Sequence, residues 1–303
     1  MSEQVFSLEG IFPPIPTPFN SEGEVALNAI KDNLKYLNQF DLRGIVVLGS
    51  NGEFVLLKEE EKLEVLKTAR ESIPSDRLLI AGVGCQSTDQ TIELSRKAAN
   101  VGADAALVIT PSYYRSRMTS EAMSRHYRSI AESSPIPVII YNMPACTGID
   151  IDADTIAVIS KHPNIAGIKD SSGNIIKMGD LRRLTDIHFQ ILAGSASFFL
   201  PALSVGAVGG VMALANIAPG QCLALHNHFL RGEWEQARDL QIRLIPVNTA
   251  ITRGWGVPAL KAAMDVLGLY GGPVRPPLMP LNKEIRDRVE AILREGGIEK
   301  IMG

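Results

Sequence analysis

No apolar run in this sequence reaches the ~18 residues that a membrane-spanning helix needs. The longest, near Val205 to Ile217, is too short, and its glycines and alanines suit close packing instead. Met1 to Phe6 shows no basic stretch followed by an apolar one and no Arg-rich transit pattern, so no leader is expected. Cysteine is scarce. Cys85, Cys146 and Cys222 lie far apart and are odd in number. They show no metal-ligand spacing and argue for a reducing compartment, so a cytoplasmic location is expected. Five histidines are scattered, and His226 and His228, two apart, would not share a helix face. No metal site is therefore expected. Neither sign of charge dominates: the net charge is −3, and no basic block is long enough to follow a phosphate backbone. Nucleic acid and membrane are both set aside as partners. No internal repeat or low-complexity tract is present.

What the chain has in quantity is apolar residues, 46% of 303, enough for one large domain or a barrel with an appendage. Strand-like and helix-like segments alternate from Gly10 to about Val211. The strands read as Ile11–Thr17, limited by its prolines, Arg43–Leu48, Arg77–Gly82, Ala105–Ile109, Pro137–Tyr141, Asn164–Asp170, Phe189–Ala193 and Gly209–Met212. Helices read over 26–40, 58–72, 87–101 with a Ser or Thr N-cap, 120–132 and 151–159. Eight strands separated by helical segments predict a parallel sheet closed as a (β/α)8 TIM barrel. An open doubly wound sheet is the alternative. No Gly-x-Gly-x-x-Gly follows the first strand, which removes the usual dinucleotide fingerprint and any expectation of a cofactor. Beyond Pro219 the alternation stops, and helices read over 224–247, 258–267 and 282–294. The expected organisation is a barrel over 1–218 with the catalytic site, and a C-terminal helical extension over 219–303 that completes the barrel and packs on it.

The fifth and sixth strands are short, branched and bounded by turn residues, the pattern of strands buried on both faces. One ends in Tyr141 and the other in Lys169. In a β-α-β unit the two strands are parallel, so both side chains fall at one end of the sheet. A lysine after Ala-Gly-Ile in an otherwise uncharged strand is desolvated; burial favours the neutral amine, and a neutral amine attacks carbonyls. The competing reading is an ordinary strand-end lysine that reaches water or pairs with Asp170. Active sites of such barrels lie at the C-terminal strand ends. There the sequence places Thr17, Ser50, Asn51, Tyr113, Tyr114, Tyr141, Lys169, Gly194 and Ser195. One amine and several hydroxyls, without a carboxylate cluster or histidine set, point to Schiff-base chemistry rather than a metal-dependent aldolase. A tyrosine phenol would act as general acid or base, relayed by Ser50. Tyr113 and Tyr114 read equally well as interface packing.

Three motifs in this order and spacing, Gly49-Ser50-Asn51-Gly52-Glu53, Tyr141-Asn142-Met143-Pro144 and Gly167-Ile168-Lys169-Asp170-Ser171, resemble the dihydrodipicolinate synthase / N-acetylneuraminate lyase family of class I pyruvate aldolases. The resemblance runs from Gly10 to the C-terminal helices. It implies Lys169 as the Schiff-base lysine and Tyr141 as proton shuttle. It implies Ser50 and Asn51 as the pair that holds the keto-acid carboxylate, with Ser171 and Gly194 also on the substrate. Tyr114 matches a tyrosine that enters a neighbouring subunit's site, which implies a homo-oligomer, commonly a dimer of dimers. The implied partner is a small pyruvate-type keto acid. Lysine-biosynthesis members usually carry Thr-Thr where this chain has Ser50-Asn51, and an arginine where it has Cys146. The branch that cleaves 4-hydroxy-2-oxoglutarate to pyruvate and glyoxylate is the better resemblance, with dihydrodipicolinate synthase and 2-keto-3-deoxy sugar acid aldolases as alternatives. At the positions of the lysine-sensitive members' inhibitor site stand Phe54, Val55, Glu59, Lys62, Gln86 and Gln90, a set poorly suited to lysine.

Overall fold

A computed structural model of the chain describes residues 6–300. The segment Met1–Val5, read above for a leader, and the last three residues lie outside the described residues. In chain order the elements are β1 (Gly10–Phe12), α1 (Leu27–Leu37), β2 (Gly44–Val47), α2 (Glu59–Ser72), β3 (Leu78–Gly82), α3 (Thr88–Asn100), β4 (Ala105–Ile109) and α4 (Ser120–Ser133). There follow β5 (Val138–Asn142), α5 (Pro144–Thr147), α6 (Ala153–Ile159), β6 (Ile165–Asp170), α7 (Ile175–Leu184), β7 (Gln190–Ala193), α8 (Phe199–Ser204) and β8 (Gly209–Val211). The C-terminal helices are α9 (Pro219–Leu230), α10 (Trp234–Thr249), α11 (Gly256–Leu267) and α12 (Lys283–Glu295).

All eight strands are parallel, in the order β1-β8-β7-β6-β5-β4-β3-β2. The remaining seam, between β1 and β2, is bridged by irregular backbone bonds. Arg43 N–H donates to Ile11 O at 3.1 Å, Val46 N–H to Pro13 O at 3.0 Å, and Ile15 N–H to Val46 O at 2.9 Å. This is a nearly closed (β/α)8 barrel with C-terminal helices. The first strand is shorter than the predicted Ile11–Thr17. Pro13, Pro14 and Pro16 have no N–H to give, so the ladder stops at Phe12 and survives beyond it only through carbonyls and Ile15.

Strand alternation sorts side chains into two cores. Phe12, Val46, Ile80, Leu107, Ile139, Tyr141, Leu192 and Val211 fill the barrel interior. Their neighbours Ile11, Ile45, Val47, Leu79, Val138, Ile140, Ile168 and Ile191 face the helix layer. Burying such side chains contributes about 1.5–3 kcal/mol each. Helix starts are capped from the sequence: Ser87, Thr119, Asp152, Asn174 and Asn282 each accept a backbone N–H two to three residues inside their helix. The predicted helix 224–247 is two helices. Gly232 adopts φ +71° between α9 and α10, a conformation that a glycine enters freely and that ends the helical path.

Candidate active site

The site is built from one consequence of parallel pairing. Tyr141 and Lys169 are register partners across β5 and β6. Both point into the barrel, and only 4% of each is exposed. The Lys169 Nζ stands 3.9 Å from the centroid of the Tyr141 ring. The Tyr141 hydroxyl lies 3.1 Å from Ser50 Oγ, which arrives from the loop after β2. Three residues from three strand ends therefore form one cluster: an amine, a phenol and an alcohol. An amine beside a phenol whose hydroxyl has a second hydroxyl in reach can form an imine with a ketone and pass protons along the two oxygens.

Around that cluster the sequence-predicted residues divide. Thr17 is buried and donates to Gly52 O at 2.8 Å, holding the Ser50 loop. Asn51 lies beside Ser50 but turns its amide toward Pro14 O, at 3.4 Å. Ser171 keeps a buried Oγ without a partner. Gly194 presses against it: a Cβ there would fall 2.0 Å from that oxygen, so only glycine fits. Tyr113 and Tyr114 stay outside, 80% and 71% exposed, their rings edge-to-face with centroids 5.1 Å apart. The loop that presents them is held by Gln86, whose Oε1 accepts the N–H groups of Ser112 and Tyr113, each at 2.9 Å. Cys146 opens to solvent at the rim, on α5. Desolvation by the surrounding atoms raises its thiol pKa, against the pull of the Lys169 ammonium.

Lys169 does not pair with Asp170. The strand pleat sends Asp170 to the opposite side, where it meets Lys177 of α7 at 2.9 Å. Lys177 also pairs with Asp150. Asn142, the residue after Tyr141, donates to Asp150 Oδ1 at 2.7 Å and to Asp170 Oδ2 at 3.3 Å. A polar lock, buried at Asn142, Asp170 and Lys177, thus ties the ends of β5 and β6 together directly behind Tyr141 and Lys169. Sequence reasoning missed it. The available signal was Asn142 and Asp170 standing one residue past Tyr141 and Lys169. A further clamp comes from α10. Asn248 donates to Ser195 Oγ at 2.8 Å and Ser197 Oγ at 2.7 Å, and Gln241 donates to Ala196 O at 2.8 Å. Among the described residues, no group of three or more His, Cys, Asp or Glu side chains could hold a metal ion.

Comparison with known proteins covers nearly the whole chain. A family model described as the dihydrodipicolinate synthetase (DHDPS) family matches residues 7–296. A 4-hydroxy-tetrahydrodipicolinate synthase of Methanothrix thermoacetophila is 36% identical over 285 residues, 94% of this chain and 95% of that protein. The solved 4-hydroxy-tetrahydrodipicolinate synthase of Methylacidiphilum fumariolicum SolV superposes with a TM-score of 0.91 at 31% identity, over 96% of each chain. A DHDPS of Cyanidioschyzon merolae, solved with lysine bound, superposes with a TM-score of 0.91 at 28% identity, over 96% of this chain and 98% of that one.

Proposed function

The chain belongs to the dihydrodipicolinate synthetase family, and from that premise we propose that it is a Schiff-base aldolase whose Lys169 binds the ketone of 4-hydroxy-2-oxoglutarate and splits it into pyruvate and glyoxylate. The observation that carries the imine chemistry is the cluster itself: Lys169 Nζ beside the Tyr141 ring, and the Tyr141 hydroxyl 3.1 Å from Ser50 Oγ. The amine adds to the C2 carbonyl and loses water, giving a protonated imine. The C3–C4 bond breaks, its electron pair moving toward that imine, while the C4 hydroxyl gives its proton to Tyr141. Glyoxylate leaves, and the enamine takes a proton at C3. Water then returns to C2, releasing pyruvate and the free lysine. Ser50 passes protons between Tyr141 and solvent or substrate. The unpartnered Ser171 Oγ and the backbone at Gly194 receive the substrate.

The choice of aldehyde rests on the Ser50-Asn51 pair, which resembles the 4-hydroxy-2-oxoglutarate branch where lysine-biosynthesis members usually carry Thr-Thr. Both candidate aldehydes carry a carboxylate, so Cys146 in place of an arginine marks a departure from the synthase pattern without choosing between them. A second reading has the same imine, run in condensation with aspartate semialdehyde, and the names of the synthase relatives favour it. Pyruvate release from 4-hydroxy-2-oxoglutarate, measured beside condensation with aspartate semialdehyde, decides between them. Faster turnover in the second assay would overturn the first reading. The proposal also includes a cytoplasmic homo-oligomer, a dimer of dimers, which three free cysteines and the exposed Tyr113–Tyr114 pair support. In it residues 1–218 carry the catalytic site and 219–303 complete the barrel.

A further inference from the structure

The loop that carries Ser50 is fastened from behind by residues that no part of the chemistry above uses. Leu48 and Glu53, at its two ends, have φ of +60° and +51°. A residue with a Cβ holds that conformation only where its surroundings over-determine it. At Glu53 the surroundings are unusual. Its carboxylate meets Lys261 Nζ of α11 at 2.5 Å, with 1% of either side chain exposed. Its other oxygen accepts the backbone N–H of Arg275 at 2.8 Å. Lys261 is itself held by Pro273 O at 2.8 Å and by the face of Phe19, 4.4 Å from the ring centroid. Arg275 lies 4.3 Å from the same centroid and forks onto Glu61 at 2.7 and 2.8 Å. From Glu53 the connection to the site is short. Glu53 N–H donates to Ser50 O at 3.2 Å, and Ser50 Oγ meets the Tyr141 hydroxyl at 3.1 Å.

Stability alone does not account for this arrangement. A fully buried ion pair is often no more stabilising than apolar side chains of the same volume. We propose that Glu53 and Lys261 are a positioning pair: their buried contact holds the left-handed turn at Glu53 and so keeps Ser50 Oγ against the Tyr141 hydroxyl. Neither touches the substrate, and both act through Ser50. The inference rests on the reading of Tyr141 and Ser50 as the proton path.

The test uses pyruvate alone, so it does not depend on which aldehyde is the partner. Pyruvate forms the imine with Lys169, loses a methyl proton to give the enamine, and regains a deuteron when the solvent is D2O. Methyl exchange followed by proton NMR measures that step. Ser50→Ala and Glu53→Gln are each expected to slow exchange by roughly 10- to 10²-fold, the loss that follows a small misplacement near the chemistry. The double variant is expected to be no slower than the slower single variant, because both changes remove the same placement. Effects that multiply, or full exchange in either single variant, would overturn the positioning pair. Should Glu53→Gln fail to fold, Glu53→Gln/Lys261→Met removes both buried charges and enters the same cycle. A wild type that neither exchanges nor traps with borohydride would overturn the imine reading itself. Exchange in the wild type with multiplying losses would overturn only the pair.

Discussion

A buried lysine without a carboxylate is the feature on which the single-residue chemistry turns. Lys169 makes no ion pair among the described residues, since the strand pleat gives Asp170 to Lys177 instead. Pyruvate with borohydride is expected to add one reduced pyruvyl group to the wild type and none to Lys169→Ala, read by mass. Equal labelling of the variant would end the assignment. Tyr141→Phe keeps the ring under the ammonium but loses the hydroxyl that meets Ser50. Turnover is expected to fall by about 10²–10⁴-fold, the range of general acid-base groups, with imine trapping retained. These three residues were legible in the sequence because each ends a strand-like run or follows one, and parallel strands bring such ends together. The roles of Lys177, Glu53 and Lys261 were not. Their partners lie in other elements, and a charge on a helix or in a loop reads as solvated until packing shows otherwise.

Each element at the site is held by another that packs behind it. The ends of β5 and β6 depend on Lys177 of α7. Lys177→Met leaves the fully buried Asp170 without its countercharge, which is expected to cost about 3–5 kcal/mol. Denaturant unfolding measures it, and a loss under 1 kcal/mol would show that Asn142 suffices. The packing of α3 on α4 gives a pH-dependent element. His126 of α4 bonds Thr88 Oγ1 at 2.9 Å through Nδ1 while its Nε2 is buried without a partner. Burial lowers its pKa from 6.5 to about 4. The unfolded chain therefore takes up that proton at higher pH than the folded one, so stability falls as pH drops from 6.5 toward 4. His126→Asn is expected to flatten the melting temperature across that window; an unchanged slope would assign the loss to other groups. At this scale the sequence placed the eight strands correctly but overextended β1, because proline's missing N–H ends a ladder without ending a strand-like composition. It also ran α9 and α10 together, because one glycine in an apolar helix-like stretch carries no visible stop.

At the scale of the whole molecule an exposed aromatic pair carries the next test. Tyr113 and Tyr114 project into solvent from a loop pinned by Gln86. If Tyr114 completes a neighbour's site, Tyr114→Phe and Lys169→Ala chains, each weak alone, are expected to regain activity when co-expressed. The hybrid then has one site with both groups intact. No recovery would return Tyr114 to a packing role. The positions that match the inhibitor site of lysine-sensitive members carry a further expectation. The C. merolae relative was solved with lysine bound. Here Glu59 is engaged by Lys97, Lys62 lies over the Phe54 ring at 5.9 Å, and Gln86 is occupied by two backbone amides. One lost charge-assisted hydrogen bond contributes roughly 1.5–3 kcal/mol, about tenfold or more in affinity. Rates are expected to be unchanged in millimolar lysine, and saturating inhibition there would revive the synthase reading.

The closing seam gives the molecule a history as well as a shape. β1 is made before the other seven strands, yet its ladder partner is β8, made after them all, with Gly10 set against Gly209. Leu8 N–H waits likewise for Gln190 Oε1, 2.6 Å away in the finished barrel. At ~5–20 residues per second, those partners arrive roughly 10–40 s later. For that interval the nascent chain carries an unpaired strand edge and an apolar lumen without its last wall, both open to wrong partners. Nascent chains stalled before residue 208 should therefore leave the Gly10 amide, which donates to Val208 O at 3.2 Å in the finished barrel, in fast exchange with solvent, while the released chain protects it.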